Sequence, residues 1–340
     1  MILVGDIGGT NTTIAGVDSV DGQFVIRAKE RFRTAALSGI GEALRGFRER
    51  HESIWNAAEL CCLSGAGPVR ENVCRMTNVH FIIRGEDVER EAGVQTFIIN
   101  DFSAICYALP LLDTHEHIDT SVFAHPDGSL PEPHGSVRAV VGAGTGLGTG
   151  YLIEDRGHYA AHPSEGGHSD FPAYDETTDA FSRFLRARFG VAPGVEQYVS
   201  GQGIANAFSF FYETGRIAHD EEVERIASMP DSEKPGPVAT GAVVHEGLAS
   251  VMRLFVELYA RYASNTALFF LPRGGLYLAG GIAAKNERWF TDDHLFMRAF
   301  ETNYNERITP LLKETPVVLI KDYEVSLYGA AHAATSLVEH

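Results

Sequence analysis

A chain of 340 residues with 28 basic and 45 acidic side chains carries a formal charge of −17 at pH 7. That balance argues against a nucleic-acid or anionic-membrane surface, where basic stripes are expected. Apolar residues make up 44% of the chain, enough for sizeable cores and too many for disorder, and the length exceeds the usual single core, so two domains are the default.

No run reaches the roughly 20 apolar residues of a membrane span, and Met1 leads straight into a predicted strand without a basic leader. The expected location is the cytoplasm. Cys61, Cys62, Cys74 and Cys106 fall mostly in apolar runs without C-x-x-C spacing, which predicts buried free thiols rather than zinc ligands or disulfides. The negative charge does not exclude a phosphate ligand, because backbone amides and a bound metal can supply local positive potential.

Residues 1–33 read as three strands, at 2–5, 12–18 and 24–32, with Asp21-Gly22 as a hairpin signal. Between the first two lies Gly5-Asp6-Ile7-Gly8-Gly9-Thr10-Asn11. Paired glycines there can expose bare amides, which form an anion site without a basic side chain. An ordinary hairpin is the alternative.

An amphipathic helix is expected over 38–51, strands at 60–63 and 69–76, a short helix at 86–92 and a strand at 96–99. Asn100-Asp101-Phe102 follows, where a helix over 103–109 begins. Asp101 at this point suits a helix N-cap, but the carboxyl end of an α/β strand is also where ligands bind.

Residues 110–134 read as a solvated connection; the His115-x-His117 pair within it is read as loop rather than metal site. Next comes Val140-Val141-Gly142-Ala143-Gly144-Thr145-Gly146-Leu147-Gly148-Thr149-Gly150, glycine at every second position from Gly142 to Gly150. It predicts strand, tight turn, strand, and a second anion cradle. Two such hairpins suggest two lobes gripping one polyphosphate.

Glu165-Gly166-Gly167-His168 places a carboxylate and an imidazole on one turn; a surface turn with polar decoration is the alternative. A helix over 179–189, Glu196 ahead of a helix over 203–213, a solvated excursion over 220–234 and one long helical stretch over 238–271 complete the middle. A strand at 276–279 ends in Gly280-Gly281, a third glycine turn. Two helices, a strand at 317–320 and a helix over 326–338 close the chain.

No Lys follows any of these turns in Walker A spacing, and the dinucleotide fingerprint fails at Leu147. G-x-S-x-G, H-E-x-x-H and H-R-D are absent. The remaining pattern resembles the actin-like ATPase superfamily. Its phosphate-1 motif matches Val4-Gly5-Asp6-Ile7-Gly8-Gly9-Thr10-Asn11, its phosphate-2 motif 141–148, and its adenosine motif 276–282.

Within that superfamily the chain is similar to the bacterial glucokinase family, nearly end to end. Thr77-Asn78, Asn100-Asp101-Phe102, Glu165-Gly166-Gly167-His168, Ser200-Gly201 and Leu327-Tyr328-Gly329-Ala330-Ala331 occur in the family's order. The resemblance implies a two-domain α/β actin-like ATPase (ribonuclease H-like) fold with a cleft between lobes. It implies ATP-dependent phosphorylation of glucose at the 6-hydroxyl, with ATP and Mg²⁺ as cofactors.

The family's roles then fall on particular residues. Asp101 would be the general base and Asn100 would bond hydroxyls on the 3/4 side of the ring. Glu165, His168 and Glu196 would read the 1-, 2- and 3-hydroxyls. Asp6 would hold Mg²⁺ through water. Gly5, Asp6, Gly8, Gly9, Thr10, Asn11, Gly142, Gly144, Thr145 and Gly146 would face the phosphates, and Gly280 and Gly281 the adenine.

The family's Trp after Thr-Asn is replaced here by Phe81, which bears on fine sugar specificity. The expected domains are residues 1–110 plus 322–340, a small α/β domain, and 111–321, a large α+β domain. A homodimer that binds neither nucleic acid nor membrane is expected. The alternatives are a kinase for another hexose such as mannose, fructose or an N-acetylated sugar, and a non-catalytic sensor of the same fold. ROK repressors carry a helix-turn-helix ahead of this fold, whereas here Ile2 already lies in the first strand. An Hsp70-like ATPase is the remotest reading.

Overall fold

The structure, a computed structural model, describes residues 1–77 and 79–338; Asn78 of the Thr77-Asn78 pair and residues 339–340 lie outside the described residues. The chain divides into two compact units, Met1–Thr120 with Gly150–Pro163 and Asp322–His340, and Ser121–Thr149 with Ser164–Lys321.

The first unit is built on β1 (Ile2–Ile7), β2 (Asn11–Val20), β3 (Gln23–Arg33), β4 (Leu60–Gly65), the short β5 (Val69–Arg70), β6 (Val73–Arg75) and β7 (Ile82–Arg84), and β8 (Gln95–Asn100). Its main sheet runs β3-β2-β1-β4-β8. The β1–β2 and β2–β3 pairs are antiparallel, while β1–β4 and β4–β8 are parallel. Buried runs such as Leu3-Val4 and Cys61-Cys62-Leu63 are what a sheet covered on both faces requires.

Side chains alternate between those faces. Leu3, Ile7 and Leu63 join Leu44 and Phe47 of the helix Ile40–Arg50 in one apolar cluster. The other face carries the helices Asp101–Ala108 and Val325–Val338, the latter returning from the end of the chain. These two helices meet at Gly329, where a Cβ would stand 1.8 Å from the Ala104 carbonyl oxygen. Only a residue without a side chain permits that approach.

The second unit contains β9 (Thr120–Val122) at its start, β10 (Val137–Ala143), the beginning of β11 (Leu147–Asp155), the end of β12 (His158–Ser164), β13 (Leu276–Ala279) and β14 (Val317–Ile320). Its centre is β10, β13 and β14, parallel and adjacent in that order. The 25-residue helix Glu246–Phe270 is buried along most of its length. Tyr259 on that helix donates to the Val141 carbonyl at 3.0 Å and accepts from the Ala143 amide at 3.2 Å. It ties the helix to the end of β10.

Four sequence expectations are corrected. The strand expected over 69–76 is a hairpin, β5 and β6 folding back through Glu71 (φ 50°) and Asn72 (φ 58°). Asn72 tolerates this left-handed geometry, and its amide side chain bonds Ile98 N and Thr96 O of β8. The excursion over 220–234 is ordered: Asp220 caps the helix Glu221–Ala227, which buries Val223 and Ile226 and turns its acids outward. The long stretch over 238–271 is two helices, Pro235–Gly241 and Glu246–Phe270. His245 caps the second, accepting from Leu248 N through Nδ1 and meeting Asp220 through Nε2.

The connection expected over 110–134 is a solvated loop only in its second part, residues 126–134; residues 110–125 are packed against the fold. His115 and His125 are both buried, the first accepting the Phe24 amide at 2.8 Å, the second meeting Glu301 at 2.6 Å. All four cysteines are buried free thiols. Among the described residues no helix is long and apolar enough to cross a membrane.

Candidate active site

In the first unit the β1–β2 turn is closed by Gly8 N donating to Asn11 O at 2.9 Å. Thr34, fully buried, braces it: Oγ1 donates to Gly8 O at 2.8 Å, Oγ1 meets Thr12 Oγ1 at 3.0 Å, and the amide donates to Thr10 O. Gly9 and Thr10 remain exposed at the tip. A rigid turn with an exposed backbone suits an anion that must be held in one geometry. Gly5 has a different duty. It is buried within β1, and a Cβ there would meet Leu63 Cδ2 at 2.7 Å.

Two carboxylates stand beside this turn's strand. Asp6 leaves β1 on the face covered by the helix Val325–Val338, and its Oδ2 accepts from Ser326 Oγ at 2.8 Å. Burial raises its pKa, opposed by Ser326 and by the charge of Arg31. Asp101 opens a helix at the end of β8. Burial, then the charge of Asp6, push it up to about 6, against the pull of the Phe102 and Asp101 amides and of Asn100. A group at that value is mostly ionised at neutral pH yet basic enough to take a proton. Two carboxyl groups this close, the charge of Asp6 raising the pKa of Asp101, offer oxygen ligands of the kind a hard divalent cation with its water shell takes.

The cap of that helix is Asn100, not Asp101. Asn100 Oδ1 accepts from Phe102 N at 2.9 Å and Ser103 N at 3.3 Å, and Nδ2 donates to Gly67 O at 3.1 Å. Asp101 is thereby released from the capping role. Phe81, in the place of the expected Trp, belongs to the apolar cluster of this unit.

In the second unit the central turn spans 144–146, with Gly144 N donating to Gly146 O at 2.8 Å. Thr145 is exposed, and nothing lies within 4 Å of where a Cβ on Gly144 would be. Gly142 is buried in β10, paired with Ala279 of β13. Gly280 ends that strand at φ 89°, and a Cβ there would lie 2.4 Å from Ala143 O. Both conditions demand glycine. The central turn and the Gly280-Gly281 turn are therefore neighbours at the ends of adjacent parallel strands, where ligands bind in α/β sheets.

The acids of this unit gather on the same turn. Glu196 Oε2 accepts from the Leu147 amide at 2.9 Å. A Cβ on Gly167 would stand 2.1 Å from the Leu147 carbonyl oxygen, so the Glu165-to-His168 turn lies directly against it. Val195 N donates to Ser169 O at 2.8 Å, joining that turn to the segment carrying Glu196. Glu165 and His168 are exposed, Oε2 and Nε2 3.7 Å apart.

Several participants carried no recognisable signal in the sequence. Ser326 and Thr34 are ordinary hydroxyl residues until their partners are known. Tyr259 sits within a helical run of core residues, and the Leu147 amide has no side-chain identity at all.

The chain matches the family model described as Glucokinase over residues 3–337. It is 31% identical to a glucokinase of Nostoc punctiforme, covering 99% of each chain. Among solved structures it resembles a glucokinase from an Antarctic psychrotroph, with a TM-score of 0.80, 24% identity and 98% of each chain covered. It also resembles a Balamuthia mandrillaris glucokinase in complex with glucose, with a TM-score of 0.75, 20% identity, and 98% of this chain and 93% of that one covered. The fold is the α/β actin-like ATPase fold of those kinases.

Proposed function

Because the chain belongs to the glucokinase family, we propose that Asp101 is the general base with which it phosphorylates glucose. The enzyme transfers a phosphoryl group from ATP to glucose. Asp101 takes the proton of the 6-hydroxyl as that oxygen bonds to the γ-phosphorus and ADP departs. The observation that carries this reading is the Asp101 carboxyl itself: released from capping by Asn100 and lifted to about 6 by burial and Asp6. Such a base contributes on the order of 10²- to 10⁴-fold.

Asn100 fixes the helix start that aims Asp101, and its second Nδ2 hydrogen meets a hydroxyl of the ring. Glu165, His168 and Glu196 read the hydroxyls around the anomeric side, the carboxylates accepting at charge-assisted strength. The backbone from Gly8 to Asn11 and from Gly144 to Gly146 cradles the phosphates, and Gly280 and Gly281 admit the adenine. Asp6 would hold Mg²⁺ through water, and the ion would supply charge neutralisation for the phosphates. The enzyme works in the cytoplasm as a homodimer at the entry to glycolysis.

The deciding experiment incubates purified protein with MgATP and glucose. Glucose 6-phosphate is expected, and Asp101→Asn should lose at least about 10²-fold in kcat. Product from the variant at the wild-type rate would remove Asp101 from this role. Comparison of kcat/KM across glucose, mannose, fructose and N-acetylglucosamine ranks the sugars.

A further inference from the structure

Glu196 and the residues after it hold the central glycine turn at both ends. The Leu147 amide, leaving the turn, donates to Glu196 Oε2 at 2.9 Å. The Glu196 carbonyl accepts from Ser200 Oγ at 2.7 Å. Gly201 N then donates to Gly144 O at 2.8 Å, at the entry of the turn. A closed circuit of hydrogen bonds thus encloses residues 144–147. Gly146 makes room for it, since a Cβ there would lie 2.5 Å from Glu196 Oε2.

We propose that Glu196 couples the two substrates: glucose hydroxyls on its carboxylate fix the phosphate-binding turn, so that sugar and nucleotide tighten each other's binding. This rests on the reading in which the sugar meets Glu196 and the phosphates meet the turn. A carboxylate offers about four acceptor sites on two oxygens. A sugar hydroxyl can therefore join the Leu147 amide without displacing it. Once the sugar pins the side chain, the turn is already ordered when nucleotide arrives, and that ordering cost is not met twice. Linkage makes the effect reciprocal. Ser200, which touches neither ligand in this scheme, is a positioning residue for the same circuit.

The test is calorimetric: glucose affinity is measured with and without saturating Mg²⁺ and the non-hydrolysable analogue AMP-PNP. The wild-type protein is expected to bind glucose about 5- to 50-fold more tightly when the analogue is present. Glu196→Ala should bring that ratio to about one, and Glu196→Gln, which keeps an acceptor for Leu147, should keep part of it. Ser200→Ala should lower the ratio while leaving the glucose Kd alone within about twofold. His168→Ala should weaken glucose binding yet preserve the ratio. A wild-type ratio of one, or an unchanged ratio in both Glu196 variants, overturns the proposal while leaving the site reading intact. Failure of the wild-type protein to bind glucose would remove the site reading itself.

Discussion

Ser326 Oγ donates to Asp6 Oδ2 at 2.8 Å, joining residues 320 positions apart. The contact gives the returning helix Val325–Val338 a chemical role in addition to its packing role. It supplies a hydrogen-bond donor that opposes the upward push of burial on the Asp6 pKa. Asp6 in turn adds, after burial, to the upward shift of the Asp101 pKa. One hydroxyl from the last helix is therefore connected, through Asp6, to the proposed catalytic base.

Ser326→Ala should destabilise the protein by roughly 1–3 kcal/mol, the cost of leaving a buried acceptor without its donor. Urea unfolding at pH 7 measures it. Ser326→Thr, which retains the hydroxyl, should recover part of the loss. Identical midpoints for all three proteins would contradict the contact.

Asp101→Asn should make the protein less active and more stable. Folding raises the Asp101 pKa from 3.8 to about 6. At pH 7 the folded protein must hold a charge that its surroundings disfavour, whereas the unfolded chain holds it freely. Removing that charge should therefore stabilise by about 1–3 kcal/mol at pH 7, and the difference should vanish as pH falls through 6 toward 4. Denaturant titrations of both proteins at pH 4.5 and 7 decide it.

The same shift predicts the acid limb of the rate profile. The kcat/KM for glucose should fall with an apparent pKa of about 6, tenfold per pH unit below it. A flat profile down to pH 5 would show that the proton is accepted elsewhere.

Gly329→Ala should cost about 1–3 kcal/mol or more, because the new methyl is driven into the Ala104 carbonyl. Thermal unfolding should show a lower midpoint, whereas Gly157→Ala, at an open turn with φ 84°, should cost only its backbone strain.

His115 gives the first unit an acid sensitivity. Its Nε2 accepts the Phe24 amide at 2.8 Å, which requires the neutral ring. Burial, then the charges of His117 and His332, hold its pKa below 6.5. The unfolded chain therefore binds the proton first, and stability is lost as pH falls from 6.5 toward the lower folded value. His115→Gln, which can still accept that amide, should flatten the decline measured by urea unfolding between pH 7 and 5.

The sequence by itself determined what depends on local backbone chemistry. Glycine turns at 8–9, 144–146 and 280–281, and the strands that feed them, were legible because bare amides and left-handed geometry have few solutions. The family followed from the order of those motifs. The turn at Glu71-Asn72 was missed because apolar neighbours hid an Asn whose side chain serves as a partner for β8. The helix Glu221–Ala227 was missed because its acids hid the buried pair Val223 and Ile226.

Only the tertiary structure decided which of Asn100 and Asp101 caps and which is released, since both residue types suit the position. It alone joined Asp6 to Ser326, Glu196 to Leu147, and the hairpin segment Gly150–Pro163 to the first unit. The physical reason is common to all of these. A side chain's acidity and a turn's rigidity are set by groups distant in sequence, and folding, not spacing, brings those groups into contact.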